Sequence, residues 1–229
     1  MYWCFDLRVS PAVEGLADLL LKLDYSKVVL SPQGNLQDYK RLLEQLEVAG
    51  IECYFLSFRP LSLPKHCYIL AAEGGTKKQN MKIVANYTVD VLVNPSGRTK
   101  LKDFLHNISS GIDTKLLHCL KNRCLWFALP YTRIYQFHGY YQALAARQLV
   151  QDLRLLKKFS VPVILSCSTD NLFWLRHPED ITVLIEQASG EELEQEWLLK
   201  AFKEFPEQLL EYKGMLLPGL KVLELGECC

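Results

Sequence analysis

The chain has 229 residues, of which 49% are hydrophobic, with 26 basic against 26 acidic side chains and a mean hydropathy near zero. That composition is that of a soluble globular protein, and no run approaches the ~18 uninterrupted apolar residues of a membrane span. Charge balance argues mildly against a protein that binds nucleic acid unaided, because phosphate neutralisation supplies much of that affinity.

In chain order, short β-branched or aromatic runs alternate with longer amphipathic ones. Tyr2–Arg8 reads as a strand and Pro11–Leu23 as a helix with Leu16, Leu19, Leu20 and Leu23 on one face. Lys27–Leu30 is a second strand, and Leu36–Ala49 a helix closed by Gly50 in the C-cap position. Strands over Ile51–Phe58 and His66–Ala72 follow, then a helix over Lys77–Asn86 and a strand over Val89–Val93 ended by Asn94-Pro95. Asp113–Lys121 is a helix with Asp113 at its N-cap, and Cys124–Leu129 a strand stopped by Pro130. Ile134–Phe159 reads as one long helix, Val161–Ser166 as a buried strand, and Pro178–Gln187 as a helix opened by proline and acids. Glu191–Tyr212 is helical with a break near Pro206, and Leu220–Leu223 is a candidate last strand.

Strands separated by helices imply βαβ units and a parallel sheet. About seven repeats in ~200 residues, without a G-x-G-x-x-G turn, favour a closed TIM-like β/α barrel with extra C-terminal helices over a dinucleotide-binding sheet. No linker divides the chain, so residues 1–225 are expected to form one barrel domain and 226–229 a short tail. The N-terminal segment carries Asp6 and no basic leader, which points to a cytoplasmic protein. Eight cysteines without metal-ligand spacing, most of them inside apolar runs, read as buried thiols rather than zinc ligands or disulfides.

Barrel proteins carry function on the loops that follow the strands. These loops hold no H-x-H motif and no carboxylate-rich cluster, so no metal site and no catalytic residue is assigned. They do hold Arg8, Arg59, Lys77, Lys78, Arg98, Lys100, Lys102, Arg133 and Arg176, a set able to meet a polyanion, though polar loops are common in any fold. Asn94–Arg98 is a candidate phosphate-facing turn, more often an ordinary one. Ser166-Cys167-Ser168 lacks a histidine partner and reads as small residues at a strand end. In WLRHPED, Asp180 follows Arg176 by four residues, so an ion pair between them would fix the loop.

The order of these segments resembles the ribonuclease P protein component 3 family. The carrying stretches are FDLRV, DVLVNPSGR, SSGIDTKLLHCLKNRCLWFAL and LKKFSVPVILSCSTDNLFWLRHPED, most convincingly over residues 89 to 187. The resemblance implies a barrel related to the polymerase and histidinol phosphatase superfamily, whose first strand carries histidine ligands; Phe5-Asp6-Leu7-Arg8 has none. It further implies a non-catalytic subunit that supports a catalytic RNA cutting precursor tRNA at its mature 5′ end. The partners implied are the ribonuclease P RNA, protein component 2 and precursor tRNA; magnesium belongs to the RNA, with no cofactor on this chain. Carried over by resemblance and loop position, the candidate RNA contacts are Arg8, Arg98, Lys100, Lys102, Arg133 and Arg176. Gly111, Asp113, Asn122 and Asp180 are expected as structural support. The family's arginine–proline after the middle strand is absent; Leu129-Pro130-Tyr131-Thr132-Arg133 stands there, so either Arg133 substitutes with a displaced guanidinium or the contact is lost. Alternatives are a divergent metal-dependent phosphoesterase of the same superfamily, a metabolic barrel enzyme acting on a phosphorylated small molecule, and a protein–protein adaptor.

Overall fold

The computed structural model describes residues 2–59, 68–86, 89–97, 109–119, 125–190 and 192–213. Seven strands run in chain order around one parallel sheet: β1 (Tyr2–Leu7), β2 (Tyr25–Leu30), β3 (Glu52–Ser57), β4 (Ile69–Glu73), β5 (Val91–Val93), β6 (Trp126–Pro130) and β7 (Val163–Ser166). Between and after them lie α1 (Leu16–Lys22), α2 (Lys40–Val48), α3 (Lys77–Asn86), α4 (Thr114–Cys119), α5 (Tyr140–Lys158), α6 (Pro178–Ser189), α7 (Gln195–Lys200) and α8 (Glu204–Tyr212). Every strand pair is parallel, and the result is the TIM-like barrel that the alternation of elements predicts.

Side chains alternate along the strands. Trp3 and Phe5 of β1, Val29 of β2, Leu56 of β3 and Val91 and Val93 of β5 form the inner cluster, and Leu209 and Leu210 of α8 pack against it. Their neighbours one residue away, such as Cys4, Val28 and Leu92, face the helices instead. A barrel built this way is a filled core, and helix α8 covers one end of it.

Seven strands close a ring only if the β7–β1 seam is bridged. Toward the C-terminal ends of the strands, Cys167 N–H donates to Phe5 O at 2.8 Å and Arg8 N–H to Thr169 O at 2.9 Å. At the other end, Trp3 N–H donates to Phe202 O at 2.9 Å and Leu165 N–H to Ala201 O at 3.3 Å. The turn at Ala201–Lys203 thus fills the gap left by a missing eighth strand and satisfies two buried amides. This is why the C-terminal helix breaks there and not near Pro206, which instead sits in the first turn of α8, where its missing N–H costs nothing.

Other boundaries move for local reasons. The helix expected from Pro11 begins at Leu16, behind Gly15 in a left-handed conformation (φ 69°). Tyr131–Gln136 forms a 3-10 segment that buries Tyr131, Thr132 and Ile134, so the long helix starts only at Tyr140. Gly50 takes φ 75° just past the C-cap Ala49 and closes α2 as expected. Asp113 caps α4, accepting from Leu116 N–H at 2.9 Å. The strand suggested at Leu220–Leu223 lies outside the described residues, as do Arg98, Lys100, Lys102 and Asn122.

Candidate functional site

The barrel's C-terminal mouth is polar where the layer beneath is apolar. Asp6 takes φ 60° at an irregularity in β1 between Phe5 and Leu7, and is fully buried. A bulge of this kind re-aims a side chain, and here a carboxylate joins Ser31, Ser168 and Arg8 at the mouth. It accepts from Ser31 Oγ at 2.5 Å, from Ser168 Oγ at 2.5 Å, and from Arg8 through Nε at 3.1 Å and Nη2 at 2.9 Å. Arg8 also reaches Glu73 across the mouth, Nη2 to Oε2 at 3.1 Å, and lies over the Phe58 ring at 5.2 Å. Asn94, at φ 50°, donates from Nδ2 to Glu73 Oε1 at 3.3 Å.

Burial alone would lower the Arg8 pKa, but Asp6 and Glu73 outweigh it and raise the value. The guanidinium is therefore permanently charged and flanked by two carboxylates. It stands between Asp6 and Glu73, where a metal ion shared by those acids would sit, so this donor set does not fit a metal. Among the described residues no group of three or more His, Cys, Asp or Glu side chains converges as a ligand set.

A second polar assembly lies beside the mouth and was not foreseen from sequence. Asp152, on the inner face of α5 and 2% exposed, accepts from Ser96 Oγ at 2.7 Å and Ser110 Oγ at 2.5 Å. Each serine accepts in turn: Ser96 Oγ from Gly111 N–H at 3.0 Å and Ser110 Oγ from Ile112 N–H at 2.9 Å. Asn80 of α3, fully buried, donates from Nδ2 to Pro95 O at 2.7 Å and Gly111 O at 2.8 Å, and accepts from Gly75 N–H. Burial pushes the Asp152 pKa up to about 6, against the lowering pull of the two serine hydroxyls, Arg133 and Lys77. These bonds tie the turn after β5 to the segment before α4, the two ends between which residues 98–108 run. Gly111 is needed at their junction: a Cβ there would overlap Pro95 O and stand 2.6 Å from Gly75 O.

The three arginines of the candidate set that are described have different fates. Arg8 is engaged by carboxylates. Arg133 turns inward, its Nη1 donating to Ser96 O at 2.9 Å and Gln148 Oε1 at 2.6 Å; burial lowers its pKa, with Asp152 opposing. Arg176 donates from Nη1 to Phe173 O at 2.6 Å and Leu175 O at 2.7 Å, and stacks over the Tyr135 ring at 4.9 Å. The expected ion pair of Arg176 with Asp180 is not formed. Asp180 stands at the third position of α6, where helix N–H groups favour an acid, while Arg176 precedes the cap and turns to Tyr135. Of the three, Arg8 alone is ion-paired with carboxylates among the described residues; Arg133 bonds a backbone carbonyl and an amide oxygen, and Arg176 bonds only backbone carbonyls of its own loop. Beside it, Phe173 is 86% exposed.

Of the Ser-Cys-Ser stretch, Ser166 and Ser168 join the Asp6 network, their hydroxyls 3.0 Å apart. Cys167 is buried with its Sγ 3.0 Å from that of Cys4 across the seam, and burial pushes the Cys4 thiol well above its ordinary range. These are core thiols. The residues missed from sequence left faint traces: Asp6 is an acid inside an apolar strand, and Asp152 falls on the Leu149–Leu153–Leu156 face of α5.

Fold and mouth together define a seven-stranded TIM-like barrel protein whose mouth is braced by an arginine–carboxylate network. In sequence the chain is similar to ribonuclease P protein component 3 of Methanocaldococcus jannaschii, 29% identical over 119 residues, and to that of two strains of Methanococcus maripaludis, each 22% identical over 157 or 158 residues. These matches cover 52%, 68% and 69% of this chain and 48%, 64% and 62% of those proteins, so the chain spans about half to two thirds of their length. Its fold superposes on a chain in the cryo-EM structure of archaeal ribonuclease P with mature tRNA, with a TM-score of 0.73 and 21% identity over 97% of this chain and 99% of that one. No family model matches. The likeness in sequence is to ribonuclease P protein component 3, and the likeness in fold is to a chain of an archaeal ribonuclease P.

Proposed function

We propose that this chain is a protein subunit of ribonuclease P, the ribonucleoprotein that removes the 5′ leader of precursor tRNA. What carries the reading is the sequence match to three component 3 proteins, supported by the fold shared with a chain of an archaeal ribonuclease P. Cleavage belongs to the RNA subunit and its magnesium; this chain contributes contacts and shape. Arg176 is the candidate phosphate contact among the described residues, and Arg98, Lys100 and Lys102 are further candidates. Arg8 and Arg133 act mainly by holding the loops, since their guanidinium groups bond side chains of other segments, whereas Arg176 bonds only carbonyls of its own loop. The partners are the ribonuclease P RNA, a component 2 protein and precursor tRNA, in the cytoplasm. No helix among the described residues is long and apolar enough to cross a membrane.

The test is co-purification from native extract. The chain should bring down a structured RNA and a component 2 protein. Recovery of neither would remove the reading, and phosphomonoester hydrolysis by the purified chain with bound metal ions would replace it with the phosphoesterase alternative.

A further inference from the structure

Overall neutrality conceals a strong separation of charge. Residues 74–123 carry nine basic against three acidic side chains, and residues 178–212 two basic against ten acidic. Strand order turns this into geometry. Helices α3 and α4 follow β4 and β5, whereas α6 and α7 follow β7, so α5 separates the two sets around the ring.

On the basic side, α3 (KKQNMKIVAN) and α4 (TKLLHC) contain no acidic residue and pack against each other. Lys77, Lys78, Lys82 and Lys115 are all exposed. Only Lys77 has a carboxylate nearby, Asp113 at 3.9 Å; Lys78, Lys82 and Lys115 have none among the described residues. Lys78 and Lys82 stand one turn apart on one helix face, ~6 Å along the axis, a like-charge pairing that disfavours the helix. The surface carrying them is rigid, because Asn80 bolts the start of α3 to Pro95 O and Gly111 O just before α4.

The face also lacks what base recognition needs. Among the described residues, the exposed aromatic side chains, Phe58, Tyr140, Tyr141, Phe173 and Tyr212, all lie elsewhere. His118 of α4 is exposed but its ring meets Phe159 edge-on at 5.2 Å. A rigid lysine-bearing surface without Phe, Tyr or Trp rings among the described residues suits a regular row of phosphates better than splayed bases. We infer that the outer face of α3 and α4 is a phosphate-contacting surface for the backbone of double-helical RNA, distinct from the barrel mouth. This rests on the proposed membership of an RNA-containing complex; it gives Lys82 and Lys115, which lie outside the strand-end loops, a role, and it joins Lys78 of the loop set to them on one face.

The experiment measures binding of the full chain to a 20-base-pair RNA duplex by fluorescence anisotropy across a salt series. The triple variant Lys78→Gln/Lys82→Gln/Lys115→Gln should melt like the wild type, lose about tenfold or more in affinity at low salt, and reduce the slope of log K against log salt by about two to three. The control Lys40→Gln/Arg41→Gln removes exposed charge from α2 and should leave both quantities unchanged. An unaltered affinity and slope in the triple variant, or an equal loss in the control, overturns the inference. So does normal duplex binding combined with lost capture of an acidic protein, which would make the face a protein contact. If the wild type still co-purifies with ribonuclease P RNA while the triple variant binds duplex normally, only the surface is refuted; a wild type that recovers no RNA refutes the subunit reading as well.

Discussion

Replacing Asp152 by Asn should change how stability depends on pH, in a direction opposite to that of an ordinary salt-bridged carboxylate. The group is buried and its pKa is raised from 3.8 to about 6. Between those values the folded state binds more protons than the unfolded chain, so this group's contribution falls as pH rises from about 4 and levels off above about 6. A rise of that size corresponds to ~3 kcal/mol in full, of which about 2 kcal/mol falls between pH 4.5 and 7.5. The amide that Asp152→Asn introduces cannot titrate. The stability of wild type minus that of the variant should therefore drop by about 2 kcal/mol between those two pH values, a difference in which the other titrating groups cancel. Urea unfolding at each pH measures it directly. A difference constant to within about 0.5 kcal/mol would show that Asp152 titrates as an ordinary exposed carboxylate, and the buried serine–aspartate assembly would lose its physical basis.

Three further substitutions probe separate parts of the fold. Gly111→Ala forces a methyl group into Pro95 O and against Gly75 O; thermal melting should show a loss of about 3 kcal/mol or more, and a change under ~1 kcal/mol would contradict the close approach. Phe202→Ala removes a fully buried ring from the turn that bridges β1 and β7, and denaturant unfolding should report a loss of about 3–5 kcal/mol, against an ordinary surface effect if the seam were closed without it. Arg8→Met leaves the buried Asp6 carboxylate with hydroxyl partners alone and should destabilise by about 3–5 kcal/mol, with Arg8→Lys recovering part; equal stability of the Arg8→Met variant and the wild type would mean that the guanidinium does not balance the mouth acids.

The barrel was legible in the sequence because its signals are local and repeated. Apolar runs such as VVL and VIL in the strands, the Asp113 cap and the Pro178 start of α6 each place an element without reference to the rest. What escaped depends on contacts between distant segments. The break at Ala201–Lys203 follows from the need to pair the amides of Trp3 and Leu165, both far away in sequence, whereas Pro206 offered only a local and misleading cue. Arg176 and Asp180 have ion-pair spacing, but the cap of α6 separates their directions. Asp152, Ser96, Ser110 and Asn80 come from separate parts of the chain and meet only when β5 is paired, so no spacing rule finds them. Sequence position makes the strand-end arginines look alike; the fold divides them into Arg8 and Arg133, which bond side chains of other segments, and Arg176, which bonds only carbonyls of its own loop.

The most direct test of the central proposal is reconstitution. Ribonuclease P RNA is assayed for cleavage of precursor tRNA over a magnesium series, alone, with component 2, and with component 2 and this chain together. Adding this chain should lower the magnesium concentration needed for cleavage at the mature 5′ end. An unchanged magnesium requirement in a complex that contains the chain would contradict the proposal.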